Sequence, residues 1–198
     1  MQAVKSKELL ILGNPKPFSE EQLCRYMYKS LKLWTKWKRE INESYLREHI
    51  KQIKLVYHPM WVAKLLLLAD RKPFPPKKIP RMCFVDAVSG YRGLLSAVHP
   101  TTTIDVGFNE GIVIKSKITE QSVKKYIKDV QERQINRQYV LKKPEHRIVD
   151  YFLVHLPLWK IKVESDLLKK EFIINGNPGE SEEFLASQWT TSKWTLNE

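Results

Sequence analysis

The chain has 198 residues, of which 42% are hydrophobic; 34 lysines and arginines against 22 aspartates and glutamates give a formal net charge of +12. This length and apolar content suit one compact domain or two small ones. No apolar run approaches the ~20 residues of a membrane-spanning helix, and no export signal opens the sequence, so we expect a cytoplasmic chain without a transmembrane segment. Cys24 and Cys83 are too few for a disulfide framework and lack metal-ligand spacing, which predicts buried free thiols.

The positive charge is concentrated in the first half of the chain. Residues 1–100 contain 19 Lys and Arg against 8 Asp and Glu, and residues 101–198 contain 15 against 14, so the halves carry +11 and +1, which sum to +12. A basic surface suggests an acidic partner, which would be nucleic acid, an anionic membrane surface or an acidic protein. The alternative is that the charge only keeps the protein soluble.

One sequence pattern occurs twice. Leu55–Trp61 and Leu153–Trp159 share two apolar residues, two variable residues, proline, an apolar residue and tryptophan, and the two strings are 98 residues apart. Self-similarity of this kind predicts a duplicated scaffold. We therefore expect two diverged copies of one unit, residues 1–98 and residues 99–198, which could also form one compact domain.

Each copy is predicted to begin with a helix. In the first copy Ser19 and Gln22 have the spacing of a capping box, and the helix is expected to run from about Glu20 to Ile41. In the second copy Thr119 is the expected cap of a helix over about Glu120–Ile135.

The helical period places five basic residues in one narrow arc of the first helix. They are Arg25, Lys29, Lys32, Lys36 and Arg39. The same period puts Trp34 and Trp37 on the opposite side, which we expect to face the core. The basic arc is either a binding ridge or a solvated face; five like charges without an interleaved acid oppose helix stability.

Each predicted helix is followed by an antiparallel three-strand meander. The expected strands are Gln52–Tyr57, Trp61–Ala69 and Met82–Val88 in the first copy, and Arg147–His155, Trp159–Glu164 and Glu171–Asn175 in the second. Pro59 and Pro157 separate the first two strands of each meander, because proline cannot donate to a central ladder. The sequence thus predicts an α+β fold, with two helix–meander copies related by a pseudo-twofold that buries Trp61 and Trp159 at matching places.

The first copy contains an insertion that the second lacks. Trp61 to Asp86 spans 25 residues and Trp159 to Asn175 spans 16, a difference of nine. The inserted segment is rich in proline and basic residues, and its candidate contact residues are Arg71, Lys72, Phe74, Lys77, Lys78 and Arg81. We predict a stiff, extended loop that either contacts nucleic acid or an acidic peptide, or is a long hairpin loop kept soluble by lysine.

The segment Phe84–Gly90, at the end of the first predicted meander, resembles the last strand of PepSY-type units. Those small α+β modules bind or inhibit other molecules and are not catalysts, so the resemblance implies a binding role. The second copy has Phe172–Gly179 at this place, which departs from the pattern, and no functional residue is transferred.

No catalytic or metal-binding motif is apparent in the sequence. The five histidines have no metal-pair spacing, and there is no glycine-rich phosphate loop or nucleophile motif. We therefore expect no cofactor and a non-enzymatic interaction or regulatory module that binds an acidic protein through the first copy. Nucleic-acid binding is the alternative, and association with a membrane surface, with Trp34 and Trp37 in lipid, ranks below both. The second copy is expected to be structural or to hold a protein contact, including a homodimer contact.

Overall fold

A computed structural model of the chain describes residues 7–13, 17–96, 100–107 and 111–196. These residues form a mixed α+β fold. The helices are α1 (Glu20–Ser30), α2 (Leu33–Lys36), α3 (Glu43–Glu48), α4 (Glu120–Val130) and α5 (Glu183–Gln188). The strands are β1 (Lys7–Leu12), β2 (Ile50–Arg71), β3 (Phe74–Asp86), β4 (Arg92–Leu95), β5 (Thr101–Val106), β6 (Ile112–Val113), β7 (Glu145–Glu164) and β8 (Lys169–Asn175). A π-helical turn, Gln131–Ile135, and a 3-10 turn, Asn136–Gln138, follow α4 directly.

The strands belong to one mixed sheet. Its order is β4-β3-β2-β7-β1-β5, with β6 beside β2 and β8 beside β7. The pairs β1–β5, β2–β3, β3–β4 and β7–β8 are antiparallel, as expected of a meander. The sheet as a whole is mixed, because β1 runs parallel to β7 and β6 runs parallel to β2. Parallel neighbours are distant in sequence, so no local hairpin signal marks them.

The two prolines of the repeated pattern lie inside continuous strands. Pro59 is within β2 and Pro157 is within β7, so the predicted interruption of the strands is wrong. Each proline lacks only its own N–H, and its carbonyl still accepts a hydrogen bond. The N–H of Ala87 donates to Pro59 O at 3.1 Å, and the N–H of Gly176 donates to Pro157 O at 2.8 Å. A proline is thus compatible with a strand where its nitrogen is not needed as a donor.

The first compact unit comprises the described parts of Met1–His58, Pro100–Ile114 and His155–Ser187. Its helix α1 begins at the predicted capping box, since Gln22 N–H donates to Ser19 Oγ at 3.2 Å and Ser19 N–H donates to Gln22 Oε1 at 2.9 Å. The apolar face of α1 packs on β8 and the end of β7. The buried core here is Leu23, Cys24, Met27, Leu31, Ile41, Leu46, Ile161, Val163, Phe172 and Ile174. Trp159 is only half-buried against this core.

The second compact unit comprises the described parts of Pro59–His99, Lys115–Val154 and Gln188–Glu198. Helix α4 covers the hairpin β2–β3, and the predicted cap Thr119 accepts from Ser122 N–H. The buried core is Trp61, Ala63, Leu65, Leu67, Cys83, Val85, Ala87, Ile118, Val123, Tyr126, Ile127, Val130 and Ile135. Trp61 is buried as predicted, and its indole Nε1 donates to Ile118 O at 2.9 Å.

Each long helix packs on a hairpin from the other half of the sequence. Helix α1 lies on β7–β8, whereas α4 lies on β2–β3. Each compact unit therefore contains residues from both halves of the chain. Within the described ranges, no helix has the combination of length and apolar character that crossing a bilayer requires.

Candidate binding surfaces

Helix α1 ends eleven residues before the predicted end at Ile41. Leu31 has an extended backbone (φ −66°, ψ 143°), and its N–H donates to Tyr28 O at 3.2 Å. The side chains of Leu31 and Ile41 are both buried in the core of the first unit. The chain thus leaves the helix at Leu31 and returns to the core at Ile41, and packing at these two points overrides a helical sequence pattern.

The intervening segment exposes three large apolar side chains. Leu33, Trp34 and Trp37 are 73%, 67% and 80% exposed. The expectation that both tryptophans face the core is wrong. The extended residues at the end of α1 reset the helical phase, so the 3.6-residue period that aligns Leu23 and Met27 does not continue to the tryptophans.

Three lysines are close to these apolar side chains in sequence, and each lies over an aromatic ring of the same segment. The Lys32 ammonium lies 5.1 Å from the Trp34 ring centroid, and the Lys29 ammonium lies 6.0 Å from that of Tyr26. Lys36 is held more firmly, because its Nζ donates to Lys29 O at 3.0 Å and lies 5.4 Å from the Tyr28 ring. We call the set Lys29, Lys32, Leu33, Trp34, Lys36 and Trp37 the α2 patch.

The five basic residues of the predicted arc do not share one helix. Arg25 and Lys29 are on α1, Lys32 and Lys36 flank and end α2, and Arg39 lies in the following turn. Arg25 is also 4.0 Å from Glu21, one turn earlier. The continuous ridge is therefore absent from this segment, and the basic residues are instead distributed before, between and after the exposed Trp34 and Trp37.

The inserted segment of the first half extends a hairpin and is not a loop. Strands β2 and β3 pair continuously except for a register shift between Ala69 and Arg71, and only Lys72 and Pro73 form the tip. Strand β3 pairs with β4 only at residues 82–85. Pro75, Pro76 and Pro80 precede this part of β3, so they lie where the strand has no β4 neighbour. Prolines are tolerated where a strand has an open side.

The six candidate residues of this hairpin are all exposed. They are Arg71, Lys72, Phe74, Lys77, Lys78 and Arg81. Phe74 is 64% exposed, and the Arg71 guanidinium lies 5.7 Å from its ring centroid. We call this set the hairpin arm. It belongs to the second unit, whereas the α2 patch belongs to the first.

Two residues with catalytic potential, His49 and Asp86, make local hydrogen bonds. His49 Nδ1 lies 2.8 Å from Tyr45 O, and the carboxylate of Asp86 accepts from two turn N–H groups and from Trp189 Nε1. His99 lies outside the described residues. Among the described side chains, no three His, Cys, Asp or Glu are grouped to hold a metal ion. Cys24 and Cys83 are free and buried, which confirms the prediction.

A pocket that sequence reasoning missed lies beside the π turn of the second unit. It has a volume of about 570 Å³ and is lined by Lys124, Lys128, Gln131, Glu132, Asn136, His146 and Ile148. The sequence predicts helix up to Ile135, and nothing in that pattern distinguishes a π turn from an α turn. His146 is 20 residues away from the middle of α4 in sequence (Tyr126 to His146), so no spacing rule connects them.

Comparison of the chain with protein-family models, with curated proteins and with solved structures gives no match. The resemblance of Phe84–Gly90 to PepSY-type units therefore stays a prediction. The functional argument rests on the surfaces described above.

Proposed function

We propose that this protein is a non-enzymatic interaction module that attaches to an anionic membrane surface through the α2 patch. The main support for this proposal is that Leu33, Trp34 and Trp37 are exposed on a segment that also contains lysines. Clusters of exposed apolar side chains mark interaction sites, because apolar side chains that stay in water do not contribute to the stability of the protein. Tryptophan and lysine together suit the lipid interface, where the ring enters the headgroup region and the ammonium stays at the phosphates.

The choice of cation separates this proposal from the acidic protein partner that the sequence alone favours. Protein interfaces are enriched in tryptophan and arginine but depleted of lysine. All three cations of the α2 patch are lysines. Lipid contact requires that Trp34 and Trp37 are exposed, and both are. For this reason we favour a membrane surface over the acidic protein that the sequence alone favours.

Binding in the micromolar range requires both the lysines and the apolar side chains of the α2 patch. Each lysine near an anionic leaflet contributes about 1 kcal/mol, so three contribute about 3 kcal/mol. Burying a large apolar side chain completely contributes about 1.5–3 kcal/mol, and partial insertion of three contributes on the order of 3–4 kcal/mol. The sum corresponds to dissociation constants on the order of 10 µM, whereas either half alone gives only millimolar binding.

Vesicle sedimentation and tryptophan fluorescence test this proposal. Wild-type protein is expected to bind vesicles containing phosphatidylserine, with a blue shift, and to bind neutral phosphatidylcholine vesicles weakly. W34S/W37S should weaken binding by roughly 100-fold, and Lys32→Glu by roughly 10- to 30-fold. Phe74→Ser and Lys78→Glu are the matched controls, because they change equally exposed residues of the hairpin arm. No binding to anionic vesicles at low salt would refute the proposal.

A second candidate, contact with an acidic protein surface, is favoured by the hairpin arm. Five cations and one exposed aromatic ring lie along its two strands and at its tip. Binding of a polyglutamate peptide that falls in Lys77→Glu/Lys78→Glu and persists in W34S/W37S would support it. Binding of DNA or RNA with a steep salt dependence through the same residues would instead support nucleic-acid recognition.

We further propose that the scaffold arose by duplication. The corners Asp86–Gly90 and Asn175–Gly179 have one hydrogen-bond pattern. In each, the first side-chain Oδ1 accepts from the N–H two residues later, and the first carbonyl accepts from the closing glycine's N–H at 2.9 Å. Each corner also donates one backbone N–H to a proline carbonyl: Ala87 donates to Pro59 and Gly176 donates to Pro157. The two prolines are 98 residues apart in sequence. These matches support two copies related by a pseudo-twofold, with their helices exchanged.

A further inference from the structure

Helix α4 continues into a π turn, Gln131–Ile135, and then into a 3-10 turn. A π turn inserts extra backbone into a helix and moves the side chains that follow out of the α-helical phase, and such turns occur frequently at functional sites. Here the turn forms one wall of the pocket of about 570 Å³, and His146 and Ile148 of β7 form another. This volume is within the range of pockets that hold small organic molecules.

One residue of the pocket lining has a buried amide without a partner in the described chain. Gln131 is 6% exposed, and its Nε2 makes no hydrogen bond with any residue that the structure describes. A buried donor that is left unsatisfied is costly, so its presence calls for an explanation outside the packing of the chain. A ligand atom that accepts a hydrogen bond provides one.

A second unpartnered atom belongs to another residue of the pocket lining. His146 Nε2 is 2.8 Å from Asn136 Oδ1, and His146 Nδ1 is buried without a partner among the described residues. Burial lowers the pKa of His146, while the nearby Glu132 carboxylate opposes this, so the fold favours the neutral form of the ring. With Nε2–H donating to Asn136, Nδ1 is a hydrogen-bond acceptor.

The charged groups of the wall add a preference for an anion. Lys124 and Lys128 contribute two positive charges, and Glu132, which lies 3.9 Å from Lys128, contributes one negative charge. A bound molecule therefore lies beside ammonium groups and Gln131 on the α4 side, and beside His146 on the β7 side.

We propose that this pocket binds a small hydroxylated carboxylate. The carboxylate accepts from Lys124 or Lys128 at the pocket wall. A small shift of the Gln131 and His146 side chains on binding opens their buried atoms, so that the Gln131 amide also donates to the carboxylate and a hydroxyl group donates to His146 Nδ1. Both orphaned atoms acquire a partner of the correct polarity, and the net positive charge of the wall is offset. This site is independent of the α2 patch, and its failure would leave the membrane proposal unchanged.

The test is a titration of the full chain with three matched probes, followed by two-dimensional NMR. Gluconate carries a carboxylate and hydroxyls, hexanoate carries only the carboxylate, and sorbitol carries only hydroxyls. Gluconate is expected to bind at least ~10-fold more tightly than either of the others, with shifts at Gln131 and at the His146 ring.

Two variants separate a ligand site from a structural one. Gln131→Leu should weaken gluconate binding at least ~10-fold and raise the melting temperature of the free protein, because it removes an unsatisfied amide. Lys124→Ala should weaken binding, whereas its matched control Lys125→Ala, on the same helix and outside the pocket, should not. Equal binding of the three probes, or gluconate binding unchanged in Gln131→Leu, would overturn the proposal.

Discussion

The ring of Tyr26 on α1 packs directly against Gly179, and the ring of Tyr126 on α4 packs against Gly90 in the same way. Both glycines have a positive φ, 74° for Gly179 and 79° for Gly90. A Cβ atom at Gly90 would lie 2.8 Å from Tyr126 Cε1 and 2.9 Å from Trp194 O. The glycines are therefore required both by backbone conformation and by close approach.

Replacing either glycine by alanine should destabilise the fold. The left-handed conformation alone costs an alanine ~1–2 kcal/mol, and displacement of the tyrosine ring adds to this. Urea denaturation of Gly179→Ala and Gly90→Ala measures the loss. Gly93→Ala is the control, because Gly93 has no positive φ and the nearest atom to a Cβ there would be Cε1 of the half-buried Phe84 ring, at 3.2 Å. A loss at Gly93 equal to those at the other two would contradict this account.

Asp86 and Asn175 occupy matching corners but have different side-chain partners. Asp86 Oδ2 accepts from Trp189 Nε1 at 3.1 Å, whereas Asn175 Nδ2 donates to Glu182 Oε1 at 2.8 Å. In Asp86→Asn the new NH₂ group would face the indole N–H, and two donors cannot bond. We expect a loss of ~1.5–3 kcal/mol and a change in Trp189 fluorescence. Unchanged stability in thermal unfolding would show that the Trp189 contact is dispensable.

Local sequence signals predicted the beginnings of the two long helices, α1 and α4. Ser19 and Gln22 form the expected capping box, because that motif depends only on residues three apart. The end of α1 could not be predicted in this way. It depends on the burial of Leu31 and Ile41 in a core completed by β7 and β8, more than a hundred residues later. The exposure of Trp34 and Trp37 follows from that distant packing.

The dependence on distant packing also explains why the sequence did not predict the strand structure of the hairpin arm or the pocket beside the π turn. The basic residues of the hairpin arm are exposed as their charge implies, but the prolines suggested a loop where the chain forms a strand with an open side. The pocket beside the π turn is lined by residues of α4 and by the first residues of β7. These elements come together only through the packing of the second unit. Neither composition nor periodicity contains that information.

The α2 patch makes a prediction about folding as well as binding. Because Trp34 and Trp37 are largely exposed, their replacement by serine should change the free energy of unfolding by less than about 0.5 kcal/mol each. Chemical denaturation of W34S and W37S measures this. Trp61→Ser, at a buried tryptophan, is the contrast and should cost several kcal/mol, on the order of 3–5. A comparable loss at all three positions would place the exposed pair in the core.

The two thiols should be unreactive in the folded protein. Burial raises the pKa of the Cys83 thiol to about 12 and raises that of Cys24 as well, although Arg47 partly opposes this at Cys24. Since the thiolate is the reactive form, a disulfide reagent at pH 8 should label neither cysteine until urea unfolds the chain. Rapid labelling of the native protein at either position would mean that the corresponding core opens readily.

Glu182 should make stability depend on pH in the direction opposite to that of an ordinary surface carboxylate. Burial raises its pKa above the ordinary 4.5, and the hydrogen bond from Asn175 only partly offsets this. A carboxyl group with a raised pKa in the fold binds its proton more tightly there than in the unfolded chain, so its ionisation costs stability as pH rises above about 4.5. Glu182→Gln keeps an oxygen for Asn175 and cannot ionise. The variant should match wild type in melting temperature below pH 4.5 and exceed it at pH 7, and a variant that is less stable at pH 7 would contradict the raised pKa.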